Sequence, residues 1–131
     1  MSILGIGVDI VENARIKKSI TNKKFLERIY TNDEVLESKK INDKVGFFSK
    51  RFAAKEAFSK ALGTGFRKDL NFKDISISND KFGKPIIKVN NKLKIIVNKR
   101  FNIKKLNVHL SISDEKKYSI AFVTLGNNET K

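Results

Sequence analysis

The chain has 131 residues, 40% of them apolar, and 28 lysines and arginines against 14 aspartates and glutamates leave a formal charge of +14. That length suits one domain with one core, and the apolar share excludes a disordered basic tail. With no cysteine and one histidine, His109, disulfides, thiolate metal sites and multi-histidine zinc sites are excluded.

No apolar run is long enough to span a bilayer, and "MSILGIGVDIVE" lacks the basic start of a signal peptide. The expected setting is therefore cytoplasmic and reducing, with no membrane partner. The positive charge should attract polyanions: nucleic acid, phosphate-rich small molecules or an acidic protein. A lysine-biased genome would produce the same excess, so charge alone does not choose among them.

The first predicted element is a strand over Ile3 to Val11, an apolar run carrying two glycines. Glu12 to Ile20 follows as a helix, and Phe25 to Tyr30 supplies another helical turn or two. In "TNDEVLESKK", Thr31 stands three residues before Glu34, the spacing of a capping box, which starts a helix at Asn32. The long helix runs from about Lys44 to Leu62, and Gly63 is its expected C-terminal stop. Phe72 to Ser78 alternates as a strand with Ile75 and Ile77 on one face. "DKFGKP" turns, and Pro85 to Val89 returns as a strand. Leu93, Ile96, Val97, Arg100 and Phe101 fall at helical spacing. "NVHLSIS", "DEKK" and "YSIAFVTL" then read as a closing hairpin. The elements predict an α+β fold in a single domain over 1–126, with 127–131 a frayed tail.

Two acids stand out because their surroundings are apolar. The strand period of two places Ile3, Gly5, Gly7, Asp9 and Val11 on one face, with Leu4, Ile6, Val8 and Ile10 on the other. The glycines leave open space beside the Asp9 carboxylate, which needs a cation, a donor or water. An ordinary strand-end aspartate capping the next helix explains it equally well. In the long helix, Phe47, Ala54, Phe58 and Ala61 form one stripe, and Phe52, Glu56, Lys60 and Gly63 lie roughly opposite. Glu56 and Lys60 are an i,i+4 pair in the favourable order, which a surface salt bridge would also explain. Taken together, two carboxylates on separate apolar elements with cations nearby suit a divalent ion bridged to phosphate. Mg²⁺ takes one or two protein carboxylates, water and phosphate oxygens, and Arg51, Lys55 and Lys60 would balance the remaining phosphate charge.

"GIGVDIVE" followed by Arg15-Ile16, then "RFAAKEAFSKALGTG", "FGKP", and "VHLSIS" with Tyr118 behind it, resembles the holo-acyl-carrier-protein synthases. These are the small bacterial 4′-phosphopantetheinyl transferases, and the likeness covers nearly the whole chain in order. It implies a long central helix packed on a mainly antiparallel sheet. It also implies transfer of phosphopantetheine from coenzyme A to a serine of apo acyl carrier protein, in fatty-acid biosynthesis, with release of adenosine 3′,5′-bisphosphate.

By the same resemblance, Asp9 and Glu56 would hold Mg²⁺ against the coenzyme A pyrophosphate, and Lys60 would offset charge on the leaving group. Arg51, Ser59, Lys60, Gly63, Gly65, Lys84 and Pro85 would contact coenzyme A. Arg15 and Arg28, with Lys24 and Phe25 beside them, would meet the acidic carrier. Family members are homotrimers with sites between subunits. The serine base is left open among Glu56, a metal-bound water and bulk solvent. Many relatives carry a second histidine where Asp114 stands here. His109 reads as a packed core residue and is left out of the site.

The rival reading is a small basic RNA- or DNA-binding protein, supported by the charge and ten phenylalanines. Against it, no paired aromatic strand motif is visible, and phenylalanines crowd into the core helix. The reading adopted here involves no nucleic acid.

Overall fold

The structure is a computed structural model that describes residues 2–67 and 69–127. Strand β1 (Ser2–Glu12) leads into three short helices, α1 (Asn13–Ser19), α2 (Lys23–Ile29) and α3 (Asn32–Ser38). Helix α4 (Lys44–Leu62) is followed by a 3-10 turn at Phe72–Asp74, then β2 (Ser76–Asn79), β3 (Pro85–Lys88), α5 (Asn91–Phe101), β4 (Leu106–Asp114) and β5 (Tyr118–Asn127). Strands β1, β5 and β4 form one antiparallel sheet in the order β1-β5-β4, and β2 and β3 form a separate two-stranded sheet. This is the expected α+β architecture. Among the described residues, no helix is long and apolar enough to cross a membrane.

Helix α4 is built as its sequence predicts. The Asp43 side chain accepts from the Gly46 N–H at 2.9 Å, and Gly63 closes the helix in the left-handed region at φ 87°. It is buried around most of its circumference: Ala53, Ala54, Ala57, Phe58 and Leu62 are fully enclosed. The large sheet covers one side, while α1, α3 and β2 pack on others. The capping box at Thr31 is complete, with Glu34 N–H donating to Thr31 Oγ1 at 3.2 Å and Thr31 N–H to Glu34 Oε1 at 2.9 Å.

Four expectations change. Phe72–Asp74 is a 3-10 turn rather than strand, because Asn71 and Asp74 cap one another across it. A register shift between Ile3 and Gly5 turns Ile3 outward with Ile6, Val8 and Ile10, and draws Leu4 toward the core. Asn127, read as the first tail residue, ends β5 opposite Ser2 and Leu106, while 128–131 lie outside the described residues. His109 is exposed on β4, not packed in the core.

Candidate active site at the β1–α4 crossing

The glycines of β1 do not leave open space. A Cβ on Gly5 would sit 1.9 Å from the Ala61 carbonyl oxygen, and one on Gly7 1.9 Å from that of Ala57. The glycines instead let strand and helix backbones meet in direct contact. That close crossing brings Asp9 to the α4 surface, where its Oδ1 accepts from Lys60 Nζ at 2.9 Å. Lys60 Nζ also donates to the Val8 carbonyl at 3.1 Å.

Glu56 lies one turn before Lys60 and is partly buried. Burial is the main cause that pushes its carboxyl above the ordinary range, and the Asp9 charge adds to it. Lys60 and Arg15 pull the other way. Asp9 and Glu56 thus share one electrostatic environment although 47 residues separate them in sequence. Among the described residues no cluster of three or more acids and histidines stands ready for a metal. A two-carboxylate site fits Mg²⁺, which completes its shell with water and phosphate oxygens. A cation held between Asp9 and Glu56 would offset the charge of both carboxylates.

The remaining predicted residues divide by position. Arg15 is exposed on α1, with its guanidinium 5.7 Å from the centre of the Phe52 ring. Arg28 and Lys24 are exposed on α2, whereas Phe25 stacks on Phe52 at 6.1 Å and is partly buried. Arg51 is buried and points away from the β1 side. It donates to the Ile77 carbonyl and to Asn79 Oδ1, and pairs with Glu37 at 3.3 Å. There it borders a cleft of about 320 Å³ whose other walls include Phe47, Lys50, Asn79, Gly83 and Pro85. Lys84 is exposed at the hairpin tip, its N–H held by Asp80 Oδ1. Asp114 borders the same cleft.

The expectation that Lys55 balances phosphate charge is corrected. Lys55 cannot reach a ligand: it is fully enclosed, and its ammonium donates to Glu34 Oε1 at 2.7 Å, Ile75 O at 2.7 Å and Phe72 O at 3.1 Å. Burial pulls its pKa down, and Glu34 opposes that. The Gly63 and Gly65 N–H groups both donate to the Ser59 carbonyl, and the buried Ser59 hydroxyl donates to Glu56 O. These bonds close the helix end, the role expected of Gly63.

Sequence reasoning missed Glu34 as more than a cap. It lies 21 residues from Lys55 and on another helix. The only signal was an unexplained lysine in an otherwise apolar helix.

Residues 5–123 match the profile of the 4′-phosphopantetheinyl transferase superfamily, which sets the class to which this fold belongs. The chain is 63% identical to a holo-[acyl-carrier-protein] synthase of Pelagibacter ubique over 125 residues, 95% of this chain and 98% of the relative. The crystal structure of the Neisseria meningitidis holo-[acyl-carrier-protein] synthase matches with a TM-score of 0.85 and 39% identity, over 95% of this chain and 99% of that one. The Bacillus anthracis holo-(acyl-carrier-protein) synthase, solved in complex with CoA (3′,5′-ADP), matches with a TM-score of 0.82 and 40% identity, over 98% of this chain and 100% of that one. The chain belongs to the holo-[acyl-carrier-protein] synthase family.

Proposed function

We propose that the chain transfers 4′-phosphopantetheine from coenzyme A to a serine of apo acyl carrier protein, in a Mg²⁺-dependent reaction of cytoplasmic fatty-acid biosynthesis. The observation that carries this reading is the convergence of Asp9, Glu56 and Lys60 at the crossing of β1 and α4. The family membership, and the relatives solved with coenzyme A, supply the substrate class.

Asp9 and Glu56 are the residues that would hold the metal. Mg²⁺ bound there would neutralise oxygens on both phosphates of the diphosphate. In the transfer, the serine oxygen bonds to the phosphorus carrying pantetheine. The bond from that phosphorus to the bridging oxygen breaks, and its electron pair leaves with adenosine 3′,5′-bisphosphate. Glu56 would take the serine proton directly or through a water. Lys60 is about half exposed, with two of its three N–H bonds engaged by Asp9 and Val8. The third can meet the leaving phosphate.

The cleft beside Arg51 and Pro85 would take the nucleotide end of coenzyme A, with Lys84 between its lining residues Gly83 and Pro85. Gly65 contributes as a position where a ligand can approach the backbone, since nothing lies within 4 Å of where a Cβ would be. Gly63 and Ser59 contribute by ending the helix at that point. Exposed Arg15 and Arg28, with Lys24, form the face for the acidic carrier, where charge would speed encounter.

A homotrimer is part of the proposal. Ile3, Ile6, Val8, Ile10, Ile120 and Phe122 are exposed together on the outer face of β1 and β5, more apolar surface than a solitary sheet leaves to water. The rival nucleic-acid reading loses most of its stacking residues. Phe25, Phe52, Phe66 and Phe72 stack on one another, and Phe47, Phe48 and Phe58 are in the core.

Mass spectrometry of an apo acyl carrier protein incubated with this protein, coenzyme A and Mg²⁺ tests the reading. A gain of about 340 Da, the mass that phosphoryl transfer of the arm would leave, is expected. An unchanged carrier mass would reject the proposed function.

A further inference from the structure

Two walls of the cleft beside Arg51 differ in origin. One is α4, which supplies Phe47, Lys50 and Arg51, and the other is the β2–β3 hairpin, which supplies Ile77, Asn79, Gly83 and Pro85. That hairpin belongs to a sheet of its own, not to the three-stranded sheet that packs on α4. A two-stranded hairpin has little stability alone, so its placement must come from what it touches.

It packs on β4 along β3, and on α3 and α4 along β2, where it meets a buried charge network centred on Glu34, only 1% exposed. Glu34 Oε1 accepts from Lys55 Nζ, while Oε2 accepts from the Ile77 N–H at 3.2 Å and lies 3.8 Å from Arg51. All three protons of the Lys55 ammonium are used, two of them on the carbonyls of Phe72 and Ile75 that lead into β2. Arg51 continues the chain of contacts to Ile77 O and Asn79, and the Asn79 side chain reaches Gly83 O at 2.8 Å. Directional bonds therefore run from α4 to the hairpin tip. Apolar contact through Ile75 and Ile77 alone would tolerate a slide of the strand. A fixed set of donors and acceptors does not.

Buried ion pairs contribute little net stability compared with apolar replacements of similar volume, and their attested use is to specify geometry. We propose that the Glu34–Lys55 pair is a positioning device that registers the hairpin wall against α4 and so sets the fit of coenzyme A in the cleft, without touching the ligand. The inference rests on the proposed placement of coenzyme A in that cleft.

The test compares Lys55→Met, Glu34→Gln, the double variant and Lys55→Arg with the native chain. Transfer is measured with coenzyme A and carrier varied separately, alongside calorimetric coenzyme A binding and thermal melts. Each of the first three variants should raise KM for coenzyme A about 10-fold or more, as expected when a binding wall loses its support. The KM for carrier should stay within about twofold, since Arg15 and Arg28 are on elements outside the network. Lys55→Arg should restore part of the coenzyme A affinity. The double variant should regain stability over Lys55→Met yet not regain that affinity.

Folded variants with a coenzyme A KM and binding constant within twofold of native would overturn the inference. So would losses in both KM values and kcat that merely track the unfolded fraction. If Lys55→Met does not fold, Glu34→Gln, which keeps the side-chain shape, decides by the same readouts. A native chain that binds coenzyme A in calorimetry but modifies no carrier would instead count against the proposed function, and the binding comparison would still stand.

Discussion

Glu56 sits beside Asp9, which shares its charge, and near Lys60 and Arg15, which oppose it. Because its folded-state pKa is raised, the protonated form is favoured by folding. That contribution to stability is complete below the ordinary carboxylate pKa and is lost as pH rises through the raised value. At neutral pH, with no metal bound, the ionised carboxylate therefore costs the fold something. Glu56→Gln should lower the transfer rate about 10²-fold or more, as loss of charge stabilisation and a base would. The same variant should melt no lower than native at neutral pH in metal-free buffer, and the difference should shrink toward pH 4. A variant that lost activity and melted well below native would show instead that Glu56 is a structural residue. The sequence exposed Asp9, Glu56 and Lys60 as acids and a base on apolar elements. It could not show that Lys55, the immediate neighbour, turns inward to Glu34, because that pairing joins two helices across 21 residues.

At the scale of elements, the site depends on how closely β1 crosses α4. The C-terminal end of α4 was legible because Gly63 is a local signal, whereas the Asp43 cap at its start was not singled out. The glycines of β1 were visible too, but their purpose was not: the space they leave is occupied by the carbonyls of Ala57 and Ala61. A strand pattern gives the face of a residue and not what packs on it. The 3-10 turn at Phe72–Asp74 was missed because reciprocal Asn71–Asp74 capping overrode an alternating pattern. Gly7→Ala would force the backbones apart, since the clash is with a carbonyl and not with a flexible side chain. The expected destabilisation is about 2 kcal/mol or more, in the range of overpacked cores. Transfer should fall further than the folded fraction does, because Asp9 moves with the strand. Chemical denaturation and activity measured on the same sample would check this, and a stable, fully active Gly7→Ala protein would contradict the account.

For the whole molecule, the outer face of β1 and β5 was legible as apolar but not as exposed. Alternation alone would have put Ile3 on the inner face, and the register shift at Gly5 turned it out with Ile6, Val8 and Ile10. On this face a lysine at Val8 would add a charge in the middle of the apolar patch without touching the core. Val8→Lys should therefore convert a trimer into monomers in sedimentation, with the melting of each chain little changed at low concentration. A native protein that sediments as a monomer would remove the trimer from the account while leaving the carboxylate site intact.

The central claim is that Asp9 and Glu56 together hold a cation against a diphosphate. Mn²⁺ binding by electron paramagnetic resonance, with coenzyme A present, tests it most directly, because Mn²⁺ shares the oxygen-ligand preference of Mg²⁺. One site per chain is expected in the native protein, weakened in both Asp9→Asn and Glu56→Gln. Mn²⁺ affinity unchanged by both substitutions, in folded protein with coenzyme A bound, would contradict the claim.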